Sequence, residues 1–121
     1  MTRVLRFAIS LSFVGFILPA DAQDAAAGKA LYQQCSVCHS VDGSNGVGPT
    51  LKGIVGHKSG EVAGFRSSRA MKNAAIIWDR KTLDAYLAEP QKVVPGNQMP
   101  FSGLVDAKQR ADLVSYLETL K

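Results

Sequence analysis

Cysteine, histidine and tryptophan are scarce in this chain of 121 residues, which carries two, two and one of them. Two cysteines standing three apart close only a trivial loop, so a disulfide framework is excluded as the source of stability. The one long apolar run, residues 7–18, has 12 residues, well short of the roughly 20 that a membrane-spanning helix needs. No carboxylate pair, nucleophile–base arrangement or phosphate-cradling loop stands out, which argues against an enzyme. The formal charge of +4 is not gathered into a stripe or patch, which excludes nucleic acid as a partner.

What is there begins with an export signal. Arg3 and Arg6 precede the apolar run, and Ala20-Asp21-Ala22 follows it as a small-x-small cleavage site. Residues 1–22 are therefore expected to be a cleavable secretory signal and residues 23–121 the mature domain. No Arg-Arg pair marks twin-arginine export. Removing two Arg and one Asp from a chain of charge +4 leaves +3 over 99 residues. One domain of that size has a thin core and usually needs a staple. Phe7, Phe13 and Phe16 leave with the signal, so a large apolar cofactor would supply what the aromatics cannot.

Both cysteines lie in Cys35-Ser36-Val37-Cys38-His39. C-x-x-C-H is the attachment signature for a c-type haem. Residues three and four apart share one face of a helical turn. Two thiols can then bond to the edge of one flat ring while the imidazole takes its iron. A zinc site built from Cys35, Cys38, His39 and His57 would need adjacent Cys and His on one ion and lacks finger spacing.

The rest of the mature chain reads as short helices around an irregular middle, an all-α domain. Asp24 caps a first helix running to about Gln34, with Gly28 inside it where another helix can cross closely. Residues 40–65 show neither a 3.6 nor a 2.0 apolar period and carry Gly43, Gly46, Gly48, Gly53, Gly56, Gly60 and Gly64. Such a long loop is expected only where it wraps something functional. Ser67 or Ser68 caps a helix over 69–74. Asp79 caps another through 82–87 that Pro90 stops, with Leu83, Tyr86 and Leu87 as its apolar face. Asp106 and Gln109 predict a capping box for the last helix, whose stripe is Leu113, Val114, Leu117 and Leu120. No strand pattern is present.

A second axial ligand for the iron can come from Met71, Met99 or His57. Met99 sits in Val94-Pro95-Gly96-Asn97-Gln98-Met99-Pro100, where two prolines restrict the loop and a glycine permits a tight turn. It is the expected ligand, His57 the alternative, and Met71 reads as core filler.

With these residues in hand the chain resembles class I cytochrome c, the family of mitochondrial cytochrome c and its soluble bacterial relatives. The matching pieces are Cys35 to His39, Gly48-Pro49-Thr50-Leu51-x-Gly53, Gly64-Phe65, Trp78, residues 83–90, Pro95-Gly96 with Met99, and Asp112-Leu113-Val114-Ser115-Tyr116-Leu117. The resemblance implies four to five short helices and a glycine-rich loop around one covalent haem. Gly28 and Tyr32 would meet Leu113 and Tyr116 where the first and last helices cross. It also implies that the Pro49 carbonyl accepts the His39 ring N–H, that Trp78 reaches a haem propionate, and that Tyr86 lies near the Met99 sulfur. Three positions depart from the family. Ser67 stands where a propionate-bonding Tyr is usual, and His57 where an Arg is common. Gln34, Gln91 and Gln98 replace lysines of the haem-edge ring, leaving Lys29, Lys92 and Lys108 as candidate contacts.

The function expected from the resemblance is a soluble single-electron carrier in the periplasm of a Gram-negative bacterium, acting in a respiratory chain as a monomer. Its partners would be a quinol-oxidising complex, an oxidase, a photosynthetic reaction centre or a periplasmic dehydrogenase. The alternative is a haem enzyme or ligand binder with an open or weakly held sixth iron position.

Overall fold

Asp24 starts the first helix by taking the backbone N–H groups of Ala26 and Ala27 on its carboxylate, at 2.8 and 3.1 Å, as a cap residue does for orphaned helix donors. A computed structural model describes residues 23–121 together with Gly15, so the expected signal over 1–22 lies outside the described residues apart from that glycine. Helix α1 is Ala25–Leu31 and tightens into a 3-10 turn at Tyr32–Gln34, so the last stretch of the expected first helix has the narrower geometry common at helix ends. Four further helices follow: α2 Arg69–Ala74, α3 Arg80–Ala88, α4 Pro90–Val93 and α5 Ala107–Glu118. Among the described residues the extended backbone pairs only at an isolated bridge between Lys58 and Ile77. The all-α expectation, with its count of short helices, is what the structure has.

Local chemistry accounts for the boundaries. Ser68 caps α2 by accepting from the Met71 N–H at 3.1 Å. The reciprocal capping box forms at Asp79 and Thr82 on α3. At α5 the Asp106 carboxylate takes the Gln109 N–H at 2.8 Å, the one half of the expected box that the helix uses. Pro90 ends α3 as expected and then opens α4, where its missing N–H costs nothing because that donor has no helical partner.

The core sits where α1, α3 and α5 meet, built on Leu83, Tyr86, Leu87, Leu113, Val114 and Leu117 with Tyr32 and Tyr116. Helix α1 crosses α5 closely. A Cβ on Gly28 would lie 2.0 Å from the Asp112 carbonyl oxygen and 2.9 Å from the Tyr116 Cβ, so only a residue without a side chain permits the contact. The rings of Tyr32 and Tyr116 stack tilted at 5.5 Å beside it. Asp112, buried in α5, accepts the Asp24 N–H at 2.8 Å and both bonds of the Lys108 ammonium at 2.8 Å. Arg110 ties α5 to α3 through Asp84 at 2.7 Å. This clamp holds the two ends of the loop-rich remainder. No helix among the described residues is long and apolar enough to cross a membrane.

Candidate haem site

The turn that follows α1 continues its hydrogen-bond ladder for one more step. Cys38 and His39 both donate their N–H to the Cys35 carbonyl, at 3.1 and 2.9 Å. These i+3 and i+4 bonds put the three side chains on one side, and all three line a single cavity. Neither cysteine is in a disulfide. The half-buried Cys35 thiol is pushed above its ordinary pKa, chiefly by burial and secondarily by Cys38 beside it.

Three groups fix His39. Its Nδ1 lies 2.7 Å from the Pro49 carbonyl oxygen. A carbonyl only accepts, so Nδ1 carries the proton and Nε2 keeps its lone pair for a metal. Gly48 lies against the ring, where a Cβ would come within 2.5 Å of Cε1 and 2.8 Å of Nδ1. The Tyr32 hydroxyl donates to the His39 main-chain carbonyl. The motif glycine before Pro49 therefore leaves room for an imidazole in one orientation.

The segment carrying Met99 is organised by Asn97, a buried residue the sequence reading passed over. Its amide donates to the carbonyls of Pro90 and Val94 at 3.0 and 2.9 Å, and its oxygen accepts the Met99 N–H at 3.0 Å. Gln91 braces the same turn, donating to the Asn97 carbonyl at 3.0 Å and accepting from the Gly96 N–H at 3.2 Å. The Tyr86 hydroxyl donates to the Met99 sulfur at 3.9 Å, as expected. Burial pushes the Tyr86 phenol up to about 12, so it stays a protonated donor at any ordinary pH.

These residues surround a cavity of about 310 Å³, within the usual range for a small-molecule site. Its wall is mostly apolar: Leu51, Ile54, Val62, Phe65, Leu83 and Phe101 with Trp78. Trp78 is buried and packs on Tyr86 with ring centres 5.0 Å apart. Met99 and His39 line the cavity and His57 does not; the His57 side chain is exposed. Met71, read from sequence as core filler, packs against the core and also lines the cavity. A six-residue helix gives too few turns for its apolar face to be assigned in advance.

Gln34 and Gln98 are on the cavity wall, as expected of haem-edge positions. Gln91 faces the loop it braces. Of the candidate lysine contacts, Lys92 is paired with Glu89 at 2.9 Å and Lys108 with Asp112 at 2.8 Å. Val37 inside the cysteine motif and Val47 on the cavity wall are 81% and 79% exposed. Two thiols, an imidazole with a free Nε2, a thioether and an apolar slot form a donor set suited to a covalent haem.

Known proteins give the same reading. The family model described as Cytochrome c matches residues 25–121. The cytochrome c of Trypanosoma brucei brucei is 54% identical over 79 residues, which is 65% of this chain and 85% of that protein. Cytochrome c2 of Rhodomicrobium vannielii is 42% identical over 119 residues, 93% of this chain and 95% of that one. The solved structure of cytochrome cH from Methylobacterium extorquens matches with a TM-score of 0.77 at 46% identity, covering 79% of this chain and 98% of that one. With the family model spanning all but the first two of residues 23–121 and the site built as above, this chain belongs to the cytochrome c family, whose cofactor is a covalently bound haem.

Proposed function

We propose that the protein is a soluble single-electron carrier with one haem attached through Cys35 and Cys38 and ligated by His39 and Met99. The observation that carries the reading is the shared cavity: His39, held by Pro49 so that Nε2 is free, and Met99, held by Asn97, both line it. The bound haem supplies an iron that alternates between two charge states. The chain's own residues set the conditions for that alternation. His39, made more basic by its bond to Pro49, donates to the metal, while the Met99 thioether favours the reduced form. Leu51, Ile54, Val62, Leu83 and Phe101 exclude water and disfavour the extra charge of the oxidised state. Trp78 and the Tyr86 phenol add N–H and O–H donors at the wall.

With His39 and Met99 both holding the iron, no coordination site would remain for a substrate, so the chain would act as a carrier and not as an enzyme. Residues 1–22 support export to a bacterial periplasm and cleavage to a domain over 23–121. Exposed Val47 with Gln34 on the cavity wall, and exposed Val37 in the cysteine motif, support docking through an uncharged face on the cysteine side. The partners are redox proteins of the membrane or periplasm. The test is the near-infrared spectrum of the oxidised protein. A methionine–iron charge-transfer band is expected, lost in Met99→Ala and kept in Met71→Ala. Its absence from the wild type would instead favour a ligand-binding haem with an open position.

A further inference from the structure

The cavity wall carries one fixed charge. Among its lining residues there is no aspartate, glutamate or lysine, and the single guanidinium is Arg66, followed in the chain by Ser67 and Ser68. The same three residues and Gln98 form the wall of a second, open cleft of about 620 Å³, completed by Arg69, Lys72 and Asn73. No carboxylate lines the cleft either. Arg66, Arg69 and Lys72 take part in none of the ion pairs of the described residues. Three cations therefore line one corner, and no carboxylate among the described residues is paired with them.

A haem brings its own anions. Its two carboxylates are the ring's only charged substituents, and they lie on the edge away from the two that bond to thiols. Charge complementarity assigns them to the one cationic corner of an otherwise uncharged wall. Of the positions that depart from the family pattern, Ser67 offers the wall only a short hydroxyl, and His57 is exposed and off the wall.

We propose that Arg66 is the counter-ion of the haem carboxylates, with the Ser67 and Ser68 hydroxyls as neighbouring donors and with Arg69 and Lys72 adding field from α2. The proposal rests on the haem reading above. A guanidinium bonds a carboxylate through two parallel N–H groups, so it is a positioning residue for the ring as well as a charge. Holding the carboxylates ionised lowers their pKa and offsets the negative charge that would otherwise favour oxidised iron.

Spectroelectrochemistry of the holoprotein across pH tests it with Arg66→Gln, Arg66→Lys and His57→Gln. Arg66 is exposed, so the glutamine variant keeps the fold. Losing the guanidinium should lower the midpoint potential at neutral pH. It should also move the acid inflection of the potential up by about 0.3–0.7 of a pH unit, the size an exposed pair supports. Arg66→Lys should recover most of both shifts and His57→Gln should cause neither. A glutamine variant that titrates like the wild type overturns the proposal, as does a shift produced by His57→Gln. In those cases an intact methionine–iron band leaves the carrier reading standing, whereas a chain without covalent haem overturns both.

Discussion

The helical clamp and the glycine-rich loop are stabilised in different ways. Of the buried apolar side chains, Tyr32, Leu83, Tyr86, Leu87, Leu113, Val114, Tyr116 and Leu117 belong to the 3-10 turn, α3 and α5, while residues 40–65 contribute only Ile54. The loop is held by hydrogen bonds instead. Asn45 donates to the Ala63 carbonyl at 2.9 Å and accepts from the Thr50 N–H at 3.0 Å, and Gly48 donates to the Cys38 carbonyl at 2.8 Å. Its apolar side chains Val47, Leu51, Val62 and Phe65 turn to the cavity. Apolar surface facing a slot is stabilising only when the slot is filled. The clamp carries its own core; the loop borrows one from the cofactor.

Breaking the loop's side of that comparison should give the largest effect. Cys35→Ala and Cys38→Ala each remove one covalent bond to the ring. The double variant should lose cooperative unfolding in the loop half, read as hydrogen exchange at 40–65 falling to that of an unfolded chain while α5 keeps partial protection. Intact mass measures the attachment. A folded, fully protected double variant without haem would show that the loop needs no cofactor.

Breaking the clamp comes next. Gly28→Ala puts a Cβ 2.0 Å from the Asp112 carbonyl, so α1 must lift from α5 at a cost of about 3 kcal/mol, the upper range for overpacking. Chemical denaturation reads the loss, with the haem spectrum little changed below the transition. A cost under 1 kcal/mol would mean that the helices separate freely.

Asn97→Ala sharpens the boundary between the two regions, because it leaves the Met99 N–H without its acceptor and takes one of two donors from each of the Pro90 and Val94 carbonyls. Unmade bonds to buried groups cost about 1–3 kcal/mol. The methionine–iron band should weaken at a lower temperature than global unfolding. A band that melts together with the helices would place Asn97 in the clamp rather than in the ligand loop.

The smallest effect is acidic. The Lys108 ammonium, and then the Asp24 N–H, hold the Asp112 carboxyl below its ordinary pKa of 3.8. A depressed folded-state pKa contributes stability that is fully present above the unfolded value and is lost as pH falls through the folded one. Acid should therefore loosen the clamp below about pH 4. Asp112→Asn should flatten that part of the pH profile. An unaltered profile would assign the acid sensitivity to other carboxylates.

Much of this was legible in the chain because it is local. The caps at Asp24, Ser68, Asp79 and Asp106 are read from a residue type and a spacing of two or three. Cys35, Cys38 and His39 are read from one helical turn. Met99 is read from the prolines and glycine of its loop and Pro49 through the family resemblance, and both line the cavity. Asn97, Gln91 and Arg66 were not legible as site residues. Asn97 stands in the sequence only as one residue of the Met99 loop, Arg66 belongs to no motif, and Gln91 reads as a haem-edge position. Each acquires its role from partners that the folded loop brings up: the carbonyls of Pro90 and Val94, the Gly96 N–H, an otherwise uncharged wall. His57 misled for the same reason, since nothing in its neighbours says which way a glycine loop turns its side chain.

The Asp24–Asp112 bond joins residues 88 apart in the chain, and it bears on the order in which the protein is made. Seven residues of α1 are too few to hold a helix in water, and the surface they need belongs to α5, the last helix of the described residues. Until α5 exists, α1 and the turn after it have nothing to fold against. The thiols of Cys35 and Cys38 are then displayed on an open strand of nascent chain, reachable from all sides. The placing of both thiols on one wall of the cavity therefore waits on a helix from the far end of the domain.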